Sequence, residues 1–270
     1  MNLSWGMELE FGDVKRDLIL PDKLGLWNYN EKDIVNQRDP YWGIAADPLG
    51  INPPFGGEIN TIPTYDYREQ IVIFEKLKQF FIDHGCPPTA SCVSNTHVHV
   101  HVPGLKTDIN LLKHFLKKVF EHQFNLIKYV YGESPKNDDL YYLKYDSGRK
   151  YSQYRYDYIM KADNTINFYL RCIQDADNVY KRYLVNFLSL PRNDTLEFRF
   201  FRSTVNTEEI ENIMTFCNDF MSMILYNTNL MYEDYKFPKL DLDEQLFYSW
   251  QKTKKRGMRQ PICRNYLRPI

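Results

Sequence analysis

Hydrophobic and polar residues alternate strictly in several short stretches of the chain, which predicts β-strands. The first strand covers residues 2–11, where Glu8 and Glu10 lie on the face opposite Met7 and Leu9. The two carboxylates therefore share one face of a strand that starts close to the first residue. A shorter strand is predicted at residues 58–62 and begins with another acidic residue, Glu58.

A strand with a histidine face follows between Cys92 and Val102, because His97, His99 and His101 alternate with valines. Three histidines on one side of a strand are unusual for a surface that only meets water, and they indicate a ligand-binding or catalytic use. An incidental polar cluster is the alternative.

A β-hairpin is predicted from residues 183–190 and 195–201, which flank the turn-forming sequence 191–194. In its second arm, Glu197 and Arg199 share a face opposite Phe198 and Phe200. On this pattern alone, the pair is either part of a site or an ordinary salt bridge.

Apolar positions with helical spacing predict three long helices between the strands, each preceded by a capping residue. The helices span about residues 66–85, 107–130 and 206–224, and their capping residues are Asp66, then Thr107 or Asp108, then Asn206 or Thr207. Residues 132–150 are predicted to form a loop, either a plain surface excursion or a lid. The last stretch, 241–270, is predicted to be a helical extension rich in Lys and Arg.

Helices and strands interleave without an internal repeat, which favours one α+β domain over residues 1–270, with helices on one face of an antiparallel or mixed sheet. The chain has 270 residues, 43% of them hydrophobic, as expected of a globular protein. No apolar segment is long enough to cross a bilayer and no signal peptide is apparent, so we expect a cytoplasmic protein without a membrane partner.

Charge and cysteine content narrow the classes of partner and site. The 34 basic and 35 acidic residues give a net charge of -1, which does not favour binding to nucleic acid. Five cysteines without a Cys-x-x-Cys pair argue against both a disulfide framework and a zinc-thiolate site. We expect these cysteines to be reduced and mostly structural.

The ionisable residues of the predicted strands suggest a site for a divalent cation. If their polar faces converge, several carboxylates meet, and a divalent cation is the natural way to neutralise them. Carboxylates with an imidazole suit Mg²⁺ or Mn²⁺, and a nucleoside triphosphate is the usual reason to keep such ions beside an arginine. The alternative is that each polar face meets only water.

An ordered set of motifs resembles the amidoligase family, a branch of the glutamine synthetase and glutamate-cysteine ligase superfamily. The motifs are residues 6–11 (GMELEF), Asp47 with 57–63 (GEINTIP), 97–100 (HVHV), 182–186 (RYLVN) and 195–202 (TLEFRFFR). This resemblance implies a curved, mainly antiparallel sheet that forms a funnel, backed by helices, with ATP and Mg²⁺ or Mn²⁺ at its inner face. It implies ATP-dependent amide formation from a carboxylate and an amine, either of which could belong to a peptide or protein.

The resemblance also assigns roles to individual residues. The implied metal ligands are Glu8, Glu10, Glu58, His97 and Glu197. The implied catalytic residues are Arg199, Glu197, His99 and Asp47, and the implied nucleotide contacts are Arg199, Arg202 and Asn186. Which of the three histidines faces the metal stays open.

Two other functions remain alternatives. One is a metal-dependent hydrolase that activates water without a nucleotide. The other is a binding protein that keeps the fold without activity, and in which the basic C-terminal stretch contacts a partner. Release of ADP separates the ligase from both.

Overall fold

A computed structural model of the chain describes residues 2–12, 56–85, 87, 88, 90, 95–131, 150–174 and 183–235. Three predicted features lie outside these residues: Asp47, the loop at 132–149, and the C-terminal stretch 241–270.

The described strands form one five-stranded sheet in which every neighbouring pair is antiparallel. The strands are β1 (Ser4–Gly12), β2 (Gly56–Asn60), β3 (Asn95–His101), β4 (Val185–Asn186) and β5 (Leu196–Arg202). Their order across the sheet is β2-β1-β3-β5-β4. This confirms the expected antiparallel sheet accompanied by helices, and it places the strand with Glu8 beside the strand with the histidines.

The described segments form six α-helices, and the three long ones begin where the capping residues predict. The six helices are α1 (Tyr67–Asp83), α2 (Ile109–Tyr131), α3 (Gln153–Met160), α4 (Thr165–Ile173), α5 (Ser189–Asn193) and α6 (Thr207–Tyr226). The side chains of Asp66, Asp108 and Asn206 each accept a hydrogen bond from the backbone N–H two residues further on, at 2.9, 2.8 and 2.8 Å. Each cap satisfies an amide group that the first helical turn leaves without an intrahelical partner.

The apolar face of the sheet packs against helices and forms the core. Met7 of β1 and Val98 of β3 are fully buried there. Phe200 and Phe201 of β5 both contact Phe216 of α6, with ring centroids 6.2 and 6.1 Å apart, in edge-to-face geometry. Because the helices take the apolar side, the charged residues of the same strands are left on the opposite side.

The predicted first arm of the β-hairpin is wrong beyond Asn186. Strand β4 has two residues, and α5 with Asp194 connects it to β5 in place of a tight turn. The Asn186 side-chain oxygen accepts a hydrogen bond from the Leu188 N–H at 2.9 Å, which turns the chain out of the strand. Phe187 and Leu188 are both buried, so burial here does not alternate as it does in a strand.

A buried glutamine ties α1 to the end of the sheet. The Gln70 amide nitrogen lies 2.8 Å from the Trp5 carbonyl oxygen, 2.9 Å from the Ile62 carbonyl oxygen and 3.0 Å from the Thr64 hydroxyl oxygen. The Thr61 hydroxyl donates to the Gln70 side-chain oxygen at 2.5 Å and accepts from a backbone N–H of β1 at 2.8 Å. This network holds the segment after β2 against β1.

Among the helices that the structure describes, none combines the length and the apolar character that crossing a bilayer requires. Two of the five cysteines, Cys172 and Cys217, lie in described segments, and both are buried free thiols. They pack in the core, as expected of structural cysteines.

Candidate metal centre

The polar face of the sheet collects the ionisable residues of its neighbouring strands. Directly opposed residues of antiparallel strands point to the same face. Glu8 of β1 opposes His97 of β3, and Glu197 of β5 opposes both His99 of β3 and Asn186 of β4. The predicted residues of four strands therefore belong to one surface.

The backbone register adds two further acidic positions to this arrangement. Glu10 of β1 opposes Glu58 of β2, so the two residues are neighbours across the strand pair. Glu10 is two residues from Glu8, which puts its position on the same face of β1. Their side chains lie outside the described part, and their role as metal ligands stays a prediction, as does that of Asp47.

A β-bulge in β5 changes which residues face the site. Val98 opposes Phe198, whereas Thr96, two residues earlier in β3, opposes Phe201, three residues further along β5. The extra residue in β5 shifts the alternation beyond it by one. Arg202, which pairs with Asn95, therefore lies on the same face as Glu197. Without the bulge, alternation would put the two on opposite faces, because Arg202 comes five positions after Glu197.

The side chains of Glu8, His97, His99 and Glu197 lie in mutual contact. Glu8 places its two carboxylate oxygens 3.2 Å from His97 Nδ1 and 3.2 Å from His99 Nε2. His97 Nδ1 is also 3.5 Å from Glu197 Oε1. One ligand atom each from Glu8, His99 and Glu197 lies within 4.8 Å of the other two. These three atoms are close enough to coordinate one cation.

His97 lies between the two carboxylates and is 1% exposed. Its Nδ1 is within ion-pair distance of both glutamates, but neither ring nitrogen has an aligned hydrogen-bond partner among the described residues. Buried polar atoms are normally hydrogen-bonded, so an imidazole without such a partner fits a residue that acquires one when a ligand binds. The structure thus brings both His97 and His99 to the candidate centre.

His101, the third histidine of the strand, is placed differently. Its Nε2 lies 3.5 Å from a carboxylate oxygen of Asp194, and its side chain is 35% exposed. The cluster that could hold a cation contains His99 and not His101.

Both carboxylate oxygens of Glu197 have partners within the sheet. The Asn186 side-chain amide donates to Glu197 Oε2 at 2.6 Å, and the Arg199 guanidinium contacts Glu197 Oε1. Asn186 is itself fixed through the Leu188 N–H. The carboxylate is held in one orientation, with the positive charge of Arg199 beside it.

The charges of the cluster stabilise its ionised form. Burial alone would raise the pKa of Glu8, but the adjacent charge of His97, together with the hydrogen bond and charge of His99, holds it well below its usual range. Burial alone would lower the pKa of His99, yet its hydrogen bond to Glu8 and the negative charges of Glu197 and Glu8 raise it. Glu8 is therefore a carboxylate at neutral pH, as a metal ligand must be.

A hydroxyl contact of His99 was missed by the sequence analysis. The Thr195 side-chain oxygen lies 3.1 Å from His99 Nδ1 and 3.0 Å from the Ser189 hydroxyl oxygen. Thr195 precedes Glu197 by two residues, so period-two spacing could have found it. No comparable signal points to Ser189, which α5 brings in.

The cluster can bind a hard or borderline divalent cation. Two carboxylates and one or two imidazoles suit Mn²⁺ and Mg²⁺, and the arginines add positive charge suited to phosphate. No family model matches this sequence, and no match was found among curated proteins. The resemblance to amidoligases therefore stays a prediction.

Proposed function

We propose that the protein is an ATP-dependent carboxylate-amine ligase of the amidoligase type, which forms an amide through an acyl phosphate. One observation carries this proposal: Glu8, His99 and Glu197 come from three different strands and converge, with Arg199 against Glu197. These residues belong to three of the motifs on which the resemblance rests. The funnel shape expected of the family's sheet is part of the same proposal.

Phosphoryl transfer would need ligands for a cation and positive charge beside the phosphates, and the chain has candidate residues for both. Glu8, Glu197 and His99, with His97 adjacent, would hold Mg²⁺ or Mn²⁺. When bound, the cation would neutralise the phosphate oxygens of ATP. The Arg199 guanidinium would supply positive charge to the transferred phosphoryl group, and Arg202, on the same face, would contact a neighbouring phosphate.

The proposed reaction has two steps. An oxygen of the substrate carboxylate attacks the γ-phosphorus of ATP, the bond to the β-phosphate oxygen breaks, and ADP leaves. The amine nitrogen then attacks the carbonyl carbon of the acyl phosphate, and phosphate leaves as the amide forms. Asp47 is proposed to contact the amine, and Glu10 and Glu58 to complete the set of acidic ligands.

Release of ADP and phosphate tests this function. The purified protein is incubated with ATP, Mg²⁺ or Mn²⁺, and panels of carboxylic acids and amines, and both products are measured. Glu197→Gln and Glu10→Gln should each abolish turnover without unfolding the protein, whereas Glu211→Gln, at an exposed position of α6, should not. Full activity in both site variants would refute the assignment.

The imidazole in the cluster supports a second candidate, a metal-dependent hydrolase. Histidine ligands are more typical of Zn²⁺, Fe²⁺ and Mn²⁺ than of Mg²⁺. A hydrolase would activate water at the same residues, cleave its substrate without ATP and release no ADP. Product release with and without ATP separates the two functions.

A further inference from the structure

We propose that Thr195 is a positioning residue that orients the His99 ring for cation binding. This inference rests on the proposed cation site and adds to it a residue from outside the predicted set. Among the described residues, the hydrogen-bond partners of the Thr195 hydroxyl are His99 and Ser189, so Thr195 would act on the candidate ligands through the His99 ring.

The His99 ring has a hydrogen-bond partner at each of its two nitrogens. His99 Nε2 faces Glu8 at 3.2 Å, while Nδ1, on the opposite side of the ring, faces the Thr195 hydroxyl at 3.1 Å. The two contacts together fix the plane of the imidazole. Without the hydroxyl, the ring would lose the contact at Nδ1 and keep the one with Glu8 at Nε2, so its orientation would be less restrained.

The Thr195 hydroxyl is itself held by a neighbouring side chain. Thr195 Oγ1 lies 3.0 Å from the hydroxyl oxygen of Ser189, which is 3% exposed, and the Asn193 side-chain amide donates to Ser189 at 3.3 Å. Asp194, which ends α5, has a φ of 58°, and this left-handed residue directs the chain back toward the sheet at Thr195. The hydroxyl is therefore held by a buried neighbour.

The position of the Thr195 hydroxyl also suits the tautomer of His99 that cation binding requires. A histidine that binds a cation through Nε2 offers the lone pair of that nitrogen, so the remaining ring proton lies on Nδ1. The Thr195 hydroxyl oxygen would accept a hydrogen bond from that N–H, while its own proton is donated to Ser189. A hydrogen bond of this kind selects the tautomer and holds the ligating nitrogen in place.

Cation affinity in matched variants tests this role. Mn²⁺ is titrated into the full-length protein, and the free ion is measured by electron paramagnetic resonance. Thr195→Val, which keeps the shape and removes the hydroxyl, should weaken Mn²⁺ binding by about 10- to 100-fold. Thr195→Ser, which restores a hydroxyl, should bind like the wild type, and so should Thr107→Val, whose hydroxyl donates to a loop carbonyl elsewhere.

A spectroscopic measurement reports on the ring directly. In protein labelled with ¹⁵N-histidine and loaded with diamagnetic Mg²⁺, wild-type His99 should carry its proton on Nδ1 and have an unprotonated Nε2. Thr195→Val should alter the Nδ1 resonance, and Thr195→Ser should preserve it. An unchanged Nδ1 resonance in Thr195→Val would overturn the proposed hydrogen bond.

The outcomes separate this inference from the proposed function. If the wild type binds Mn²⁺ and Thr195→Val binds it equally, the role of Thr195 is refuted while the cation site stands. If the wild type binds no Mn²⁺, the cation site fails, and the role of Thr195 fails with it. Should Thr195→Val not fold, Ser189→Ala replaces it: a weaker affinity supports the inference and an unchanged one refutes it.

Discussion

Replacement of Gln70 by leucine should destabilise the protein strongly, because this one side chain connects α1 to the strand that carries Glu8. Gln70 is fully buried, and its amide group contacts Trp5, Ile62, Thr61 and Thr64. Leucine has nearly the same size but offers neither a donor nor an acceptor.

The loss in the free energy of unfolding depends on which partners of Gln70 are left without a hydrogen bond. The Trp5 carbonyl oxygen keeps a hydrogen bond from the Thr64 N–H at 2.9 Å, so it is not left unsatisfied. The Thr61 hydroxyl, 4% exposed as a residue, loses the acceptor of its proton, and the Ile62 carbonyl oxygen loses its side-chain donor. These two lost bonds, whose partners are not replaced, cost about 1 kcal/mol each, and the orphaned buried hydroxyl costs a further 1–3 kcal/mol. Added apolar burial returns about 1 kcal/mol, so we expect a net loss of about 2–4 kcal/mol.

Urea unfolding measures this loss through tryptophan fluorescence, to which the buried Trp5 contributes. With a denaturant slope of about 3 kcal/mol/M, the midpoint should fall by about 1 M. Gln79→Leu is the matched control, because Gln79 lies on the same helix, is exposed, and donates to Asp83 alone among the described residues. Its stability should change by less than about 0.5 kcal/mol. Equal midpoints for the two variants would refute the assigned role of Gln70.

Two further predictions concern the metal centre and the core. Mn²⁺ at about 100 times its dissociation constant should stabilise the wild type by about 2.7 kcal/mol, which raises the melting temperature by about 5 °C or more; Glu197→Gln should lose most of this shift, and an equal shift in both proteins would contradict the site. Burial raises the pKa of Cys172 to about 12 and that of Cys217 well above its usual range. Iodoacetamide should therefore leave both thiols unmodified in native protein at pH 8 and modify both in urea, as measured by peptide mass spectrometry. Modification of either thiol in the native protein would show that its burial is wrong.

Local patterns were sufficient to predict strands β1, β2, β3 and β5, the three long helices and their caps. Period-two alternation placed Glu8 with Glu10, and His97 with His99, on shared faces, and the register of the sheet agrees with both pairings. Such patterns depend only on a residue and its near neighbours in the chain. The convergence of these faces was a hypothesis, since the pairing of distant strands is set by packing across the whole sheet.

The connection between β4 and β5 could not be predicted in the same way. Residues 183–190 combine apolar residues with a proline-containing turn after them, which is typical of a hairpin. The structure forms α5 instead: the Asn186 side chain accepts a hydrogen bond from the Leu188 N–H and ends the strand early, and Phe187 and Leu188 are both buried. This difference matters for function, since α5 supplies Ser189 to the contacts of His99 through Thr195.

The electrostatic balance of the cluster bears on how it would be used. Carboxylate oxygens of Glu8 and Glu197 that lie within 4.8 Å of each other repel by about 3 kcal/mol or more at an effective dielectric constant of about 20. Here the repulsion is offset within the protein, because Arg199 contacts Glu197 and the histidines hold Glu8 in its ionised form. Neighbouring side chains therefore offset part of the negative charge of the cluster. A site of this kind would suit a cation that arrives together with a nucleotide, as in the ligase that we propose.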